Sequence, residues 1–403
     1  MSLNMRPRRN LAPRKILTFT MNRSDFSGVA PVFEELSRRA NVKPILIAGG
    51  MHLSERFGKP LQLLVERGMS PDYKVASVRR ELDTPTEILR EISEITSEVT
   101  RIIELESPDL TFILGDRYEL VPIALSSLLC DIPIAHHSGG DVTEGSLDNQ
   151  FRFAVSQFAH LHLVANSTHR DRLLEMGEEP WRVHVVGEPT TEDYEWNDGH
   201  VLQLRQLLGH QSESLGNFAL VCLHPSPFEG MSGTAMVEVL IAGLEHYPGT
   251  LLVTPPNQDI GGSDIQKTFE EMSAGQRARI RYVQTLGKGL FNAALNHADF
   301  IIGNSSAGLL DASQFQLPAV NLGIRQQGRE SGPNVIHLPF REEGIQIAIQ
   351  KIQKISRSKL KPNARKTHGQ ASKKIADVLV SDLDKKRLLT KKILFGSQRW
   401  ITD

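Results

Sequence analysis

The stretch LTFILGDRYELVPIALSSLLCDIPIAHHSGGDVTEGSLDNQFRF, residues 110–153, contains two short apolar runs, LTFILG and IPIAH, and each ends abruptly in polar groups. The first meets Asp116 and Arg117; the second meets two glycines followed by Asp141, Glu144 and Asp148. A run of this length, rich in β-branched residues and bounded by turn residues, reads as a buried strand of a parallel sheet. The same unit recurs on both sides of it: ILTFT, KPILIAG, LHLVAN and VHVVG, then FALVCLH, TLLVTP, RIRYVQ, FIIGN, AVNLG and NVIHLP. Between many of these lie segments with helical spacing, such as Val32 with Leu36, and Ile92, Ile95, Val99, Ile102 and Ile103. Strands alternating with helices predict an α/β protein with doubly wound parallel sheets.

A chain of 403 residues exceeds one ordinary core and suits two domains. The stretch TTEDYEWNDGH, a short Leu-rich helix and GHQSESLGN read as a hinge. The expected organisation is a Rossmann-like domain over 14–190, a hinge over 191–215, a second Rossmann-like domain over 216–355 and a basic helical tail over 356–403. Basic and acidic residues nearly balance, 46 against 47, which points away from a nucleic-acid groove or a membrane surface and toward a small-molecule role. Cys130 and Cys222 sit in apolar runs and allow at most one bridge, in keeping with a reducing cytoplasm. The basic opening lacks the apolar region of a secretory signal. The longest apolar stretch is interrupted by Pro122, two serines and Asp131, so a soluble, cytoplasmic protein is expected.

What ends each strand is more informative than the strands. ILTFT runs into Arg23 and Asp25, KPILIAGG into His52, LTFILG into Asp116 and Arg117, FALVCL into His224, LLVTPP into Asn257, FIIG into Ser305 and Ser306, and AVNLG into Arg325. Ligands of open α/β sheets bind beyond the carboxyl ends of the strands, so these groups should converge on a cleft between the domains.

Several motifs carry two readings each. GNSSAGLLDASQF, residues 303–315, follows a strand and opens a helix. Ser305 and Ser306 either cap that helix or, with its free N–H groups, cradle a phosphate, and Asp311 is placed to accept from ribose hydroxyls. Arg325 and Arg329 either lie solvated or neutralise a diphosphate. Asp116 is either a helix cap or a catalytic carboxylate oriented by a neighbouring cation. His224 is a strand-end histidine, structural or functional, and His160 and His162 look like packing or edge positions. Asp148 and Arg152, four apart, can pair on one helix face. That helix would bury Phe151, Ala154, Val155 and Phe158. The functional reading sets Asp141, Glu144 and Asp148 facing Asp116 across the cleft. No HExxH, CxxC or similar ligand set appears, which argues against a metal site.

Taken together, TMNRSDF, GGMHLSERFG, GDRYEL, HHSGGDVTEGSLDNQFR, HLHLVANSTHRDRLLEMGE, VVGEP, LHP, GNSSAGLLDA and NLGIRQQGR resemble the UDP-N-acetylglucosamine 2-epimerases, in particular the hydrolysing branch that serves sialic-acid-type sugars. The resemblance runs from Arg14 to about Pro339. It implies a glycosyltransferase-B-like fold whose last helices cross back onto the first domain, a homodimer or homotetramer, a UDP-sugar partner, and a reaction without metal or nicotinamide cofactor. It further implies anti elimination of UDP through a 2-acetamidoglycal, then addition of water with inversion at C2. By position, Arg23, Arg117, His224, Asn257, Ser305, Ser306, Asp311 and Arg325 match the nucleotide-binding set. Asp116 and Asp148 match the acid/base carboxylates, Arg152 an arginine beside them, and Asp25 a residue lining the sugar site; Asp141 and Glu144 complete the candidate catalytic group.

This chain also departs from the family's pattern. Ser138 stands where non-hydrolysing members have Glu, Asn149 replaces the second acid of an acidic pair, Phe153 replaces a common His, and Asp311 is one methylene shorter than the usual Glu. The alternatives to a hydrolysing epimerase are a non-hydrolysing one and a catalytically impaired nucleotide-sugar-binding protein.

Overall fold

Two fully parallel sheets organise the computed structural model, which describes residues 12–395 apart from 55–59, 76–83, 193, 210–213, 258, 276–278, 353, 356, 358–359, 361–369 and 383. The first sheet is built from β1 (Arg14–Thr20), β2 (Val42–Gly49), β3 (Tyr73–Val75), β4 (Leu110–Leu114), β5 (Ile134–His137), β6 (Leu161–Val164) and β7 (Val183–Val185), in the order β3-β2-β1-β4-β5-β6-β7. The second holds β8 (Phe218–Cys222), β9 (Thr250–Val253), β10 (Ile280–Tyr282), β11 (Phe300–Gly303), β12 (Ala319–Leu322) and β13 (Val335–Leu338), in the order β10-β9-β8-β11-β12-β13. In each sheet the strand order reverses beside the first strand, β1 or β8, which opens a crevice at the carboxyl edge. The chain thus forms two parallel-sheet α/β domains in a glycosyltransferase-B-like arrangement.

Helices cover both faces, so the central strands have no wet side. Every residue of β4, β5, β6, β8, β11 and β12 is buried, which explains why these strands read as continuous apolar runs rather than alternating ones. Thr84 starts the long helix Pro85–Glu106 with a capping box to Glu87, and the helix buries Ile95, Val99, Ile102 and Ile103 against the sheet. Strand β3 escapes the apolar pattern. It is a three-residue edge piece whose sequence, YKV, pairs with Ile47–Gly49.

The C-terminal segment returns to the first sheet. Helix Ala371–Val380 sets Ile375, Ala376 and Leu379 into the core formed with Val29, Val32 and Leu36. Arg182, fully buried, donates to the carbonyls of Leu388, Arg387 and Thr390 at 2.9, 3.1 and 3.0 Å. Lys391 pairs with Glu178 at 2.6 Å, and Glu178 also meets His162 at 3.0 Å. Part of the basic tail is therefore a strap over the first domain, fastened by backbone carbonyls. His162 serves that fastening, and His160 accepts the Ile134 N–H through Nδ1 at 3.1 Å.

Candidate functional site

Two adjoining cavities lie at the carboxyl ends of the strands, a larger one of about 620 Å³ and a smaller one of about 120 Å³. Both are walled by Ser24, Thr190, Ser306 and Leu310, so they form one cleft with a wide and a narrow end. The narrow end collects Asp25, Asp116, Arg117, Ser138, Glu188 and Arg329. His224, Asn257, Ser305, Asp311 and Lys288 belong to the wide end.

At the narrow end, Asp116 follows β4 immediately after Gly115, whose φ of +115° turns the chain out of the sheet. Its carboxylate is ion-paired with Arg152, which is completely buried on the helix Asp148–Phe158. Burial opposes the charge on Asp116, but Arg152 and Arg329 prevail and hold its proton affinity below the ordinary carboxylate range. Arg152 also donates to the Asp141 carbonyl and the Thr143 hydroxyl, both at 3.2 Å, and to the Asn149 side-chain oxygen at 3.3 Å. This helix therefore turns Arg152 and Ser156 inward beside Val155, whereas the pattern predicts an apolar face alone. The i,i+4 pair of Asp148 with Arg152 does not form. Arg152 reaches across to Asp116, and Asp148 instead accepts from Arg325 of the second domain at 3.3 Å.

Asp148 differs from Asp116 in its surroundings. Burial, then the negative charges of Asp116 and Asp259, push its carboxyl up to about 6 against the pull of Arg325 and Arg117. Two neighbouring carboxylates with opposite shifts are the arrangement in which one holds a proton while the other is charged. Asp141 is held far from such a role: Arg329 grips a single carboxylate oxygen through Nε at 2.9 Å and Nη2 at 2.6 Å, and His169 approaches the other oxygen at 3.4 Å. Burial resists, yet Arg329, the bond from His169 and the nearby Arg152 keep Asp141 well below the ordinary carboxylate range. Glu144 is exposed; its N–H bonds the Gln327 carbonyl at 3.0 Å and its side chain lies over Gly328, so it does not join Asp116 and Asp148.

Asp25 lies below the narrow end as N3 of a capping box with Asn22. It accepts from the Thr20 hydroxyl at 2.5 Å and the Met21 N–H at 2.9 Å, and the Thr20 hydroxyl also meets His52 Nε2 at 2.8 Å. Burial outweighs these bonds and the pull of Arg117, raising the Asp25 carboxyl to about 7. Arg23 opens the same helix, and its side chain falls outside the described residues. Ser138 takes a left-handed φ of +83°, uncommon for a residue with a Cβ, and its hydroxyl meets His137 Nδ1 at 3.1 Å.

At the wide end, Ser305 caps the short helix Ser306–Leu309 by accepting from the Ala307 N–H at 3.3 Å. The capping reading of this serine is thus realised, while Ser306 faces both ends of the cleft. Asn304, just before it, is locked to His224 by two bonds: it accepts from the His224 N–H at 2.7 Å and donates to the His224 carbonyl at 2.8 Å. His224 Nδ1 in turn accepts from the Asn257 N–H at 3.0 Å, which leaves the ring proton on Nε2. Asp311 is paired with Lys288 at 3.0 Å, and Lys288 stands 4.9 Å over the Tyr194 ring.

Arg117 is buried between Glu119, at 3.2 Å, and Asp259, at 2.9 Å. It bridges the domains, as do Arg325 and Arg329. Sequence reasoning passed over Lys288, Asp259, Glu119 and Glu188. Lys288 and Asp259 lie outside any motif, whereas Glu119 and Glu188 stand inside GDRYEL and VVGEP without being singled out; Asp311 identifies Lys288, Arg117 identifies Glu119 and Asp259, and Glu188 is identified by its place on the cleft wall. Among the described residues no cluster of three or more His, Cys, Asp or Glu is placed to hold a metal ion, and no helix is long and apolar enough to cross a membrane.

A sequence profile of the family described as UDP-N-acetylglucosamine 2-epimerase matches residues 34–380. The chain belongs to that family. It is 27% identical over 331 residues to the GDP/UDP-N,N'-diacetylbacillosamine 2-epimerase (hydrolyzing) of Campylobacter jejuni, covering 81% of this chain and 84% of the relative. It is 26% identical over 338 residues to the UDP-N-acetylglucosamine 2-epimerase of Neisseria meningitidis, covering 84% and 87%. In fold it is similar to the UDP-GlcNAc 2-epimerase from Neisseria meningitidis bound to UDP-GlcNAc, with a TM-score of 0.74, 16% identity, and coverage of 91% of this chain and 99% of that one. Within this epimerase family, the cleft between two parallel-sheet domains is where the acids, arginines and serines of this chain converge.

Proposed function

We propose that this chain is a hydrolysing UDP-sugar 2-epimerase, converting UDP-N-acetylglucosamine or a close UDP-2-acetamido sugar and water to the free 2-epimeric sugar and UDP. The observation that carries this reading is the neighbouring pair Asp116 and Asp148. Arg152 holds the first carboxylate charged, while burial and the charge of Asp116 raise the proton affinity of the second. The relatives support it, since proteins named as hydrolysing 2-epimerases are among them.

Ionised Asp116 takes the proton from C2, the C1–O bond breaks, and UDP departs as an anion, leaving a C1=C2 double bond in the sugar. Asp148 then gives its proton to C2 from the opposite face as water oxygen adds to C1; the proton lost by that water restores Asp148, and Asp116 releases its own to solvent. Atoms and charge balance as sugar, UDP and one proton. The leaving diphosphate carries the developing charge, which Ser305, Ser306, His224 and Arg325 are grouped to receive. Asp311 and Lys288 form the wall nearest the nucleoside. The soluble cytoplasmic setting and a homo-oligomer belong to the same proposal.

The test is incubation with UDP-N-acetylglucosamine in D2O, followed by NMR. Free N-acetylmannosamine deuterated at C2, with UDP, is expected. Intact UDP-N-acetylmannosamine would replace hydrolysis with simple epimerisation, and tight UDP binding without turnover of this or 4-acetamido analogues would overturn the enzymatic reading.

A further inference from the structure

Arg325 is shared between the two ends of the cleft. Its Nη1 donates to the Asn304 carbonyl at 3.2 Å and its Nη2 to the Asp148 carboxylate at 3.3 Å. Asn304 directly precedes Ser305 and Ser306, so one guanidinium touches both the loop that opens the anion cradle and the carboxylate on the sugar side. The contact with Asp148 is single, one nitrogen to one oxygen. Arg329, by contrast, sends two nitrogens to Asp141 at 2.9 and 2.6 Å. A one-point bond of 3.3 Å is the weaker and more readily exchanged of the two.

Little else keeps Asp148 charged. Asp116, at the end of β4, and Asp259, in the loop after β9, face it with negative charge. Arg117 is positive but is flanked by Glu119 and Asp259, and Arg152 on the same helix is paired with Asp116. The charge of Asp148 therefore depends chiefly on Arg325.

We propose that Arg325 makes Asp148 sense the leaving group: a diphosphate in the serine cradle draws the guanidinium away from the Asp148 carboxylate, which then takes up a proton from solvent. Arg325 is in this respect a positioning residue, and it loads the proton that the second step consumes only when a nucleotide diphosphate is in place. This rests on the reading of the cleft as a UDP-sugar site.

Isothermal titration of UDP into the full chain at pH 7.5, in buffers of different ionisation enthalpy, counts the protons exchanged. An uptake of roughly 0.5 to 1 proton per UDP is expected. UDP is itself nearly fully ionised at this pH, and a cationic site can only hold its own phosphate oxygens deprotonated, so any proton taken up is bound by the protein and not by the nucleotide. D148N should bind UDP within about threefold of the natural chain and lose the uptake. R325Q should lose it as well, and uridine, which lacks the anion, should give none with the unaltered protein, a comparison that needs no variant to fold. Uptake that survives D148N or accompanies uridine binding, or UDP binding with no uptake, would overturn the proposal. The proton count needs no turnover: uptake without hydrolysis of any UDP-sugar sinks the enzymatic reading alone, whereas hydrolysis without uptake sinks this inference alone.

Discussion

Arg329 of the second domain donates from Nε and Nη2 to one carboxylate oxygen of Asp141 in the first, at 2.9 and 2.6 Å. Both residues are largely buried, with side-chain exposures of 11% and 6%. Removing one partner leaves the other charge stranded, which costs on the order of 3–5 kcal/mol for a buried pair. The pair joins the two walls of the cleft, so its loss should weaken ligand binding as well as the fold. D141N and R329Q should each lower UDP affinity, and the double variant should lose less than the sum, with a coupling above about 1 kcal/mol in a double-mutant cycle. Additive losses would show that the two residues do not act together across the domains.

Asp116 has the strongest claim to the chemistry because Arg152 keeps it charged next to a cavity. Asn in its place keeps an acceptor for Arg152 but cannot take a proton. General acid–base groups contribute about 100- to 10,000-fold, so D116N should reduce kcat by at least about 100-fold while UDP binds within a few-fold of normal. Steady-state kinetics together with UDP titration checks both halves. Near-normal turnover would remove Asp116 from the mechanism.

Asp25 predicts a pH dependence of stability. Its carboxyl is raised from the usual 3.8 to about 7 in the folded protein, so the native state binds the extra proton. The contribution is fully present below about pH 4, declines as the pH rises, and is gone above about pH 7, with a slope of up to about 1.4 kcal/mol per unit. D25N is neutral at every pH. The difference in unfolding free energy between the natural chain and D25N, measured in urea at pH 4.5, 6 and 7.5, should therefore shift steadily against the natural chain. A flat difference would show that Asp25 titrates normally.

The apolar runs of the sequence correspond to every described strand except β3: the central strands are buried on both faces and so apolar along their length, and the three-residue edge strands β7 and β10 are flanked by further β-branched residues, whereas β3 is YKV with a lysine at its centre. Strand-end residues were legible as a group for the same reason, since parallel sheets bring those ends to one edge. Their pairings were not. Helical spacing suggests Asp148 with Arg152, but Arg325 and Asp116 lie closer in space although they are 177 and 36 residues away in the chain. Asp141 and Glu144 look equivalent in composition; Asp141 is clamped by Arg329 of the second domain and approached by His169, whereas Glu144 is exposed, and no spacing in the sequence marks either outcome. Lys288 and Asp259 had no motif because their role depends on an opposite charge delivered by another loop.

The opposite wall of the cleft supplies the last prediction. Gly145 lies against the second domain so closely that a Cβ there would overlap the Ile324 carbonyl and stand 2.7 Å from the Arg325 nitrogen. Its backbone is not in the left-handed region, so alanine meets no conformational penalty of its own and acts only through this collision. Relief requires the loop carrying Arg325 to retreat, which moves the guanidinium off Asp148 and shifts the cradle it braces. Displacing a reacting group by about 1 Å costs on the order of 100-fold, so G145A should lower kcat/KM by about that factor with circular dichroism unchanged. Gly344 provides the control: a Cβ there comes no closer than 4.0 Å to its neighbours, and G344A should retain full activity. Equal effects of the two substitutions, or wild-type kcat/KM in G145A, would show that the close approach of the two domains at this point is not needed for turnover.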